Sequence, residues 1–195
     1  TTSTSTRKRK LVATNSRGRL PNNIISTAAN ADKVDGLHAT QMVRESDTVG
    51  VRVYSDGGGT GEQVIPDNTA TPLTWNLEDF DTSSAHSTTS NTSRLTAPHA
   101  GVYVITGYIA WTGTLNGERR ASIRLNGTTN LAVDRVAQDG ATEQHQSIST
   151  IFQLAAGDYV ELIAYQDAGF GGTSVQMVNA STSNFGMTWT GPGSS

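Results

Sequence analysis

Cysteine is absent from the 195 residues. That excludes disulfides, thiolate metal centres and cysteine nucleophiles, and it fits synthesis in a reducing cytosol. Long apolar runs are missing as well. Nothing approaches the roughly eighteen residues of a membrane-spanning helix, so no insertion into a bilayer is expected. The residues from Thr1 onward are polar and carry no apolar signal region. Aromatic residues amount to 6% and all hydrophobic residues to 35%, enough for a core only if it is built from half-buried strands. No long helical period occurs either, which argues against a helical bundle.

Hydroxyl groups are abundant instead. Ser and Thr together supply 47 residues, a bias that suits strands joined by many polar loops. The net charge of −3 hides an asymmetry. Residues 1–20 hold six basic side chains (Arg7, Lys8, Arg9, Lys10, Arg17, Arg19) and no acid, whereas residues 53–195 hold five basic and thirteen acidic ones. A cationic arm precedes an acidic body.

Three regions follow from composition. Residues 1–20 lack the apolar content of a packed element and read as an extended arm that a partner holds. Residues 21–48 read as a connector, with turns at Pro21-Asn22-Asn23 and Asp35-Gly36, small apolar anchors at Ala31, Val34 and Leu37, and room for a short helix over 39–44. Residues 49–195 alternate like an all-β sandwich. Val49, Val51 and Val53 share one parity, residues 102–111 form a long alternating strand, and Ala121, Ile123 and Leu125 alternate with Ser122 and Arg124. Asn126-Gly127 is a strong hairpin signal, and Gly157-Asp158 marks a tight connection into the strand from Tyr159. Leu73 and Trp75 are expected on a further short strand. Eight to ten strands result, the pattern of a sandwich or jelly roll.

Catalytic and metal signatures are weak. No Gly-x-Ser-x-Gly elbow is present. The four histidines, His38, His86, His99 and His145, show no paired metal spacing and read as loop or surface residues. Glu78-Asp79-Phe80-Asp81 has the oxygens a calcium ion wants, but reads first as a solvated turn. Gly57 to Gly61 lacks the Lys-Ser/Thr of a phosphate cradle and reads as a hairpin loop. The basic run has no interleaved aromatic, and the acidic body would repel a polyanion, so the arm is expected to dock on an acidic protein surface rather than on nucleic acid. Trp75, Trp111 and Trp189 are expected in the core. Contact surfaces are expected in the loops 81–93, 112–118 and 167–173, the first rich in hydroxyls that could bond glycan. No enzyme activity and no cofactor are expected.

Five short stretches carry a resemblance. They are Leu95-Thr96-Ala97-Pro98 followed by Gly101-Val102-Tyr103, then Leu125-Asn126-Gly127, Leu154 with Gly157-Asp158-Tyr159-Val160, and Phe185-Gly186. In these words and their order the chain resembles the jelly-roll heads of the complement component one-q and tumour-necrosis-factor superfamily. The resemblance implies a jelly-roll β-sandwich that binds as a homotrimer. It also implies that Gly101 permits the turn into a central strand and that Tyr103 buries its ring against the opposite sheet. Residues 1–49 lack the Gly-every-third-residue period of that family's collagen-like stalk. The segments 19–25 and 30–38 instead resemble connectors of bacteriophage tail and fibre proteins. Together these imply a trimeric virion protein, made in a bacterial cytoplasm and exposed on the particle. Its arm would engage other virion proteins and its head a host-surface glycan. A capsid decoration protein or head fibre is the alternative, and a non-viral lectin-like module a further one.

Overall fold

The computed structural model describes residues 33–34, 37–38, 48–112, 116–138, 144–168, 173–176 and 181–193. The chain divides into two compact units, Thr1–Arg44 and Glu45–Ser195. In the first, β1 (Lys33–Val34) and β2 (Leu37–His38) pair antiparallel, Val34 opposite Leu37. The basic residues Arg7, Lys8, Arg9, Lys10, Arg17 and Arg19, and the short helix expected over 39–44, lie outside the described residues.

The second unit is an all-β jelly-roll sandwich, as the alternation predicts. Its strands are β3 (Gly50–Tyr54), β4 (Glu62–Ile65), β5 (Thr71–Pro72), β6 (Leu77–Asp81), β7 (Arg94–Thr96), β8 (Gly101–Thr112), β9 (Gly117–Leu125), β10 (Thr129–Gln138), β11 (Gln144–Leu154), β12 (Tyr159–Gln166), β13 (Thr173–Gln176) and β14 (Asn184–Gly191). One sheet runs β4-β13-β8-β14-β3-β6 with β11 on the other side of β8; the second runs β10-β9-β12-β5, with β7 also on β12. Strands adjacent in sequence often change sheet, so the chain winds around the core rather than meandering within one layer.

Strand parity decides what is buried. On β8, Tyr103, Ile105, Ile109 and Trp111 face inward, and Val51, Val53, Phe185 and Met187 join them from β3 and β14. Ala121, Ile123, Val160, Leu162 and Ala164 close the core from the second sheet. Each fully buried aliphatic side chain of this kind contributes about 1.5–3 kcal/mol of transfer free energy. Tyr103 donates its hydroxyl to the His99 carbonyl at 2.8 Å, and burial pushes its phenol above the ordinary value.

Three local expectations are corrected. Glu78 to Asp81 is not a solvated turn but part of β6, whose Phe80 stands opposite Arg52 on β3. Its charges belong to the edge of the sheet, where they discourage pairing with another chain. Gly57 to Gly61 is not a hairpin loop, because β3 pairs with β14 and β6 whereas β4 pairs with β13. A 3₁₀ turn, Gly57–Gly59, fills it, with Asp56 accepting from the Gly58 amide. The strand expected at Leu73 and Trp75 falls instead on Thr71–Pro72. Leu73 and Trp75 follow it buried and extend their backbone N–H groups to the Leu162 and Thr92 carbonyls.

Gly101 opens β8 at φ 152°, and a Cβ there would overlap the Trp189 indole nitrogen and the Gly191 carbonyl. Gly101→Ala is expected to lower stability by about 2–4 kcal/mol. In urea unfolding the midpoint falls while the slope stays unchanged.

Candidate functional site

Three of the stretches that carry the resemblance meet at one end of the sandwich, whereas Phe185-Gly186 lies mid-sheet opposite Gly107 and Thr106. Asn126 and Gly127 both have positive φ, 48° and 71°, in the β9–β10 turn, which the Thr128 amide closes onto the Leu125 carbonyl at 3.0 Å. Gly157 and Asp158 lie in the turn that carries the chain from β11 to β12, across from one sheet to the other. Asn126 locks the two turns together. Its Nδ2 donates to Asp158 Oδ1 at 2.8 Å, its Oδ1 accepts from the Tyr159 amide at 2.9 Å, and its own amide donates to the Tyr159 carbonyl. Ala97 joins from the approach to β8, exchanging backbone bonds with Asp158 and Gly157 at 2.8 Å each. No sequence signal pointed to this union, because hairpin and turn propensities describe each segment alone.

Beside this end stands the loop 82–93, held by acidic residues of the Glu78–Asp81 stretch. Asp81 accepts three backbone amides, from Ser83 (3.0 Å), Ala85 (3.1 Å) and His86 (2.9 Å). The His86 ring is fully buried, with Nδ1 2.8 Å from Glu78 Oε1 and Nε2 3.2 Å from the Thr92 carbonyl. Asp79 forms an ion pair with Arg52. Each carboxylate of the cluster is engaged by the protein itself, and among the described residues no group of three or more acids and histidines is placed to share a metal ion. Ser84 and Asn91 take φ of 55° and 49°. Such conformations are rare for residues other than glycine and mark a loop fixed by its surroundings.

A cleft of about 310 Å³ opens between this loop and the turn end, with Ser84, Ser87, Ser90, Asn91, Arg94 and Tyr159 in its walls. The Arg94 guanidinium lies 4.0 Å from the centre of the Tyr159 ring. Its Nε is 3.6 Å from the largely buried Glu161, which also accepts from Ser93 Oγ at 2.7 Å. Glu161 offsets the Arg94 charge, so the walls present hydroxyls, an amide and an aromatic edge with little net charge. Such a surface suits a neutral, hydroxylated ligand, since each hydroxyl can donate and accept.

The other candidates scatter. Trp75 and Trp111 are in the core, and Trp189 is partly buried. His145 stacks on Tyr108 with ring centres 5.9 Å apart, and His99 lies in the loop before β8, 6.2 Å from Trp189. His38 falls on β2. Of the expected contact loops, 81–93 is described in full, its first residue ending β6; residues 113–115 and 169–172 lie outside the described residues.

No family model matches the chain, and no curated protein matches it in sequence. Solved structures do match in fold. The Eiger TNF of S. frugiperda superposes with a TM-score of 0.57 at 14% identity, over 76% of this chain and 96% of the other. The globular domain of the zebrafish complement 1qA protein gives 0.52 at 15% identity, over 74% and 98%. The likeness is one of architecture, and it agrees with the resemblance read from the turns.

Asp81→Asn keeps the shape of the side chain but turns one acceptor into a donor facing backbone amides. The variant is expected to lose about 1–3 kcal/mol. Amide exchange should quicken at Ser83, Ala85 and His86 while β8 and β12 stay protected; unchanged exchange in the loop would show that Asp81 does not hold it.

Proposed function

We propose that this chain is a trimeric attachment protein of a bacteriophage particle, a minor tail or fibre component. Its N-terminal arm grips other virion proteins, and its jelly-roll head contacts a host-surface glycan. The observation that carries the binding role is the hydroxyl-lined cleft on a loop already fixed in shape. A loop that needs no ordering on binding gives up less entropy, so weak polar contacts count for more. The jelly-roll architecture supports a binding rather than a catalytic role, and residues 1–49 carry no collagen-like period.

Three copies are supported by apolar side chains that the isolated head leaves in water. Ile151 is 69% exposed, Val133 44% and Phe152 38%. Val133 lies on β10 and the other two on β11, strands that pack together at one edge of the sandwich, where Gln146 Nε2 reaches Asp134 Oδ2 at 2.9 Å. Covering one such side chain per subunit is worth about 1.5–3 kcal/mol. Threefold display then multiplies a weak cleft through effective concentration. The arm supports the mounting role by its charge: six cations without an acid suit an acidic protein surface.

Sedimentation and native mass spectrometry are expected to give three copies. Ile151→Lys should yield a monomer with an unchanged β-type circular dichroism spectrum, since the position is exposed in the single chain; a monomeric parent protein would end the proposal. Removing residues 1–20 is expected to leave the trimer intact and abolish incorporation into particles. Purified head should block adsorption to the host. Particles that lack the protein and remain fully infectious would instead assign it to capsid decoration.

A further inference from the structure

The cations of the acidic body are gathered on one face. Residues 53–195 hold five basic side chains, all arginines. Arg119 is buried. The other four, Arg94 on β7, Arg120 and Arg124 on β9 and Arg135 on β10, share the outer face of the sheet β10-β9-β12-β7. Strand register places them there. Arg135 stands opposite Arg120, Arg120 opposite Tyr165, Arg124 opposite Glu161, and Glu161 opposite Arg94. Directly opposed residues lie on one face, and Ala121 and Ile123, of the other parity on β9, are in the core. Arg52 lies on the other sheet, paired with Asp79. Two of the guanidinium groups are held flat on aromatic rings, Arg94 over Tyr159 at 4.0 Å and Arg120 over Tyr165 at 3.8 Å. Glu118 is 3.7 Å from Arg120 and 3.8 Å from Arg135, and Glu161 is 3.6 Å from Arg94. Arg124 makes no ion pair among the described residues; its Nε is 3.5 Å from Asn130 Oδ1. Four guanidinium groups therefore meet two carboxylates, which leaves this face cationic on an acidic body.

We infer that this face binds an acidic polysaccharide, a polymer whose sugar carboxylates lie along the four arginines. The inference rests on the glycan-attachment role and names the class of glycan. A guanidinium offers a planar fork that a carboxylate can meet with two hydrogen bonds. From β7 to β10 is three strand spacings, about 14 Å at the usual spacing of about 4.8 Å, so the row suits a chain of sugars rather than one. The face also runs into the hydroxyl-lined cleft, since Arg94 and Tyr159 belong to both. A polymer bearing hydroxyls and carboxylates matches the whole surface, with a neutral unit in the cleft and acidic units on the sheet. Nucleic acid fits less well. A duplex carries one charge per roughly 1.7 Å, whereas Glu118 and Glu161 leave only a sparse positive surplus here. Single strands want aromatic rings for base stacking, and Tyr159 and Tyr165 already carry guanidinium groups.

The test titrates the full chain by calorimetry, in about 50 mM salt, with oligomers of galacturonate, mannuronate and N-acetylneuraminate. Neutral dextran oligomers, inorganic polyphosphate and duplex DNA serve for comparison. At least one acidic oligosaccharide is expected to bind at about millimolar strength or better. It should weaken as salt is raised to about 200 mM, because exposed charges are then screened within about 8 Å. Arg124→Gln combined with Arg135→Gln should weaken it about tenfold, while Arg52→Gln on the other sheet leaves it unchanged. The Arg135 side chain is 61% exposed and Arg124 has no acidic partner to strand, so the circular dichroism spectrum should stay as in the parent. Arg124→Lys with Arg135→Lys should restore part of the affinity, since the charge returns without the fork. Absence of binding by every acidic oligosaccharide up to about 10 mM, equal binding of dextran, or full binding by the double glutamine variant would overturn the site. Tighter binding of DNA or polyphosphate than of every acidic oligosaccharide would overturn it in favour of a phosphate polymer. Head that blocks adsorption to the host yet binds no acidic oligosaccharide removes this site and keeps the attachment role. An acidic oligosaccharide held through Arg124 and Arg135 by a head that does not block adsorption does the reverse.

Discussion

The side chain of Asn126 ties the β9–β10 turn to the turn that leads into β12. It sits in a turn whose positive φ values already limit the choice to residues such as Asn, Asp or Gly. From there its amide bridges to Asp158 and Tyr159 in a turn that crosses between sheets. The two layers of a sandwich are otherwise held mainly by non-directional burial, which resists separation but tolerates sliding. Asn126 and Tyr159 end neighbouring strands of one sheet, so the two-sided amide contact continues the β9–β12 ladder into the turn through which the chain enters that sheet from the other. Ala97 ties the approach to β8 into the same place, and the loop 82–93 docks beside it, the Thr96 amide donating to the Ala85 carbonyl at 2.7 Å. The hydroxyl-lined cleft therefore stands beside a turn end that hydrogen bonds from three segments close.

Much of the architecture was legible because strict alternation leaves few choices. β8 carries inward residues of one parity along its length, and β9 and β12 do so over Ala121–Leu125 and Val160–Ala164, long enough that a register slip would expose the core. What alternation could not reveal is pairing between distant segments. Gly57 to Gly61 has the composition of a hairpin loop, yet the strands it joins find other partners, because β13 and β14, more than a hundred residues later, take both places. β6 was hidden for a different reason. Leu-Glu-Asp-Phe-Asp has almost no apolar face, since an edge strand with solvent on its outer side needs little. Its carboxylates resembled a cation site because sequence shows charge without showing which backbone amides surround it.

Exposure was equally hidden. Ile148 and Ile151 belong to one strand and are chemically identical, yet one is 7% exposed and the other 69%. The difference is parity alone: Ile148 stands opposite Gly107, above the core, and Ile151 opposite Val104 on the outer face. Gly107 is small because the opposite sheet comes close there; a Cβ would approach Leu162 to 2.8 Å. In a 35% hydrophobic chain, leaving aliphatic and aromatic groups on one edge costs solubility unless another surface covers them. That cost is a physical argument for a surface that covers them, and it supports the self-association proposed above.

A second cleft, about 410 Å³ beside the glycine turn after β3, is tied to the hydroxyl-lined cleft through one backbone carbonyl. Thr92 lines the cleft beside Trp75, and its carbonyl accepts both the Trp75 amide at 3.0 Å and the His86 ring at 3.2 Å. His86 in turn holds the loop that forms the hydroxyl-lined cleft. Opening either cleft by moving the loop would break the His86 contact with Glu78 and strand a buried ring, a loss comparable to what a few hydroxyl contacts return. A ligand must therefore fit the hydroxyl-lined cleft as it stands. Rigid sites of modest individual strength gain most from being displayed in several copies, since multivalency adds affinity without requiring the loop to reorganise.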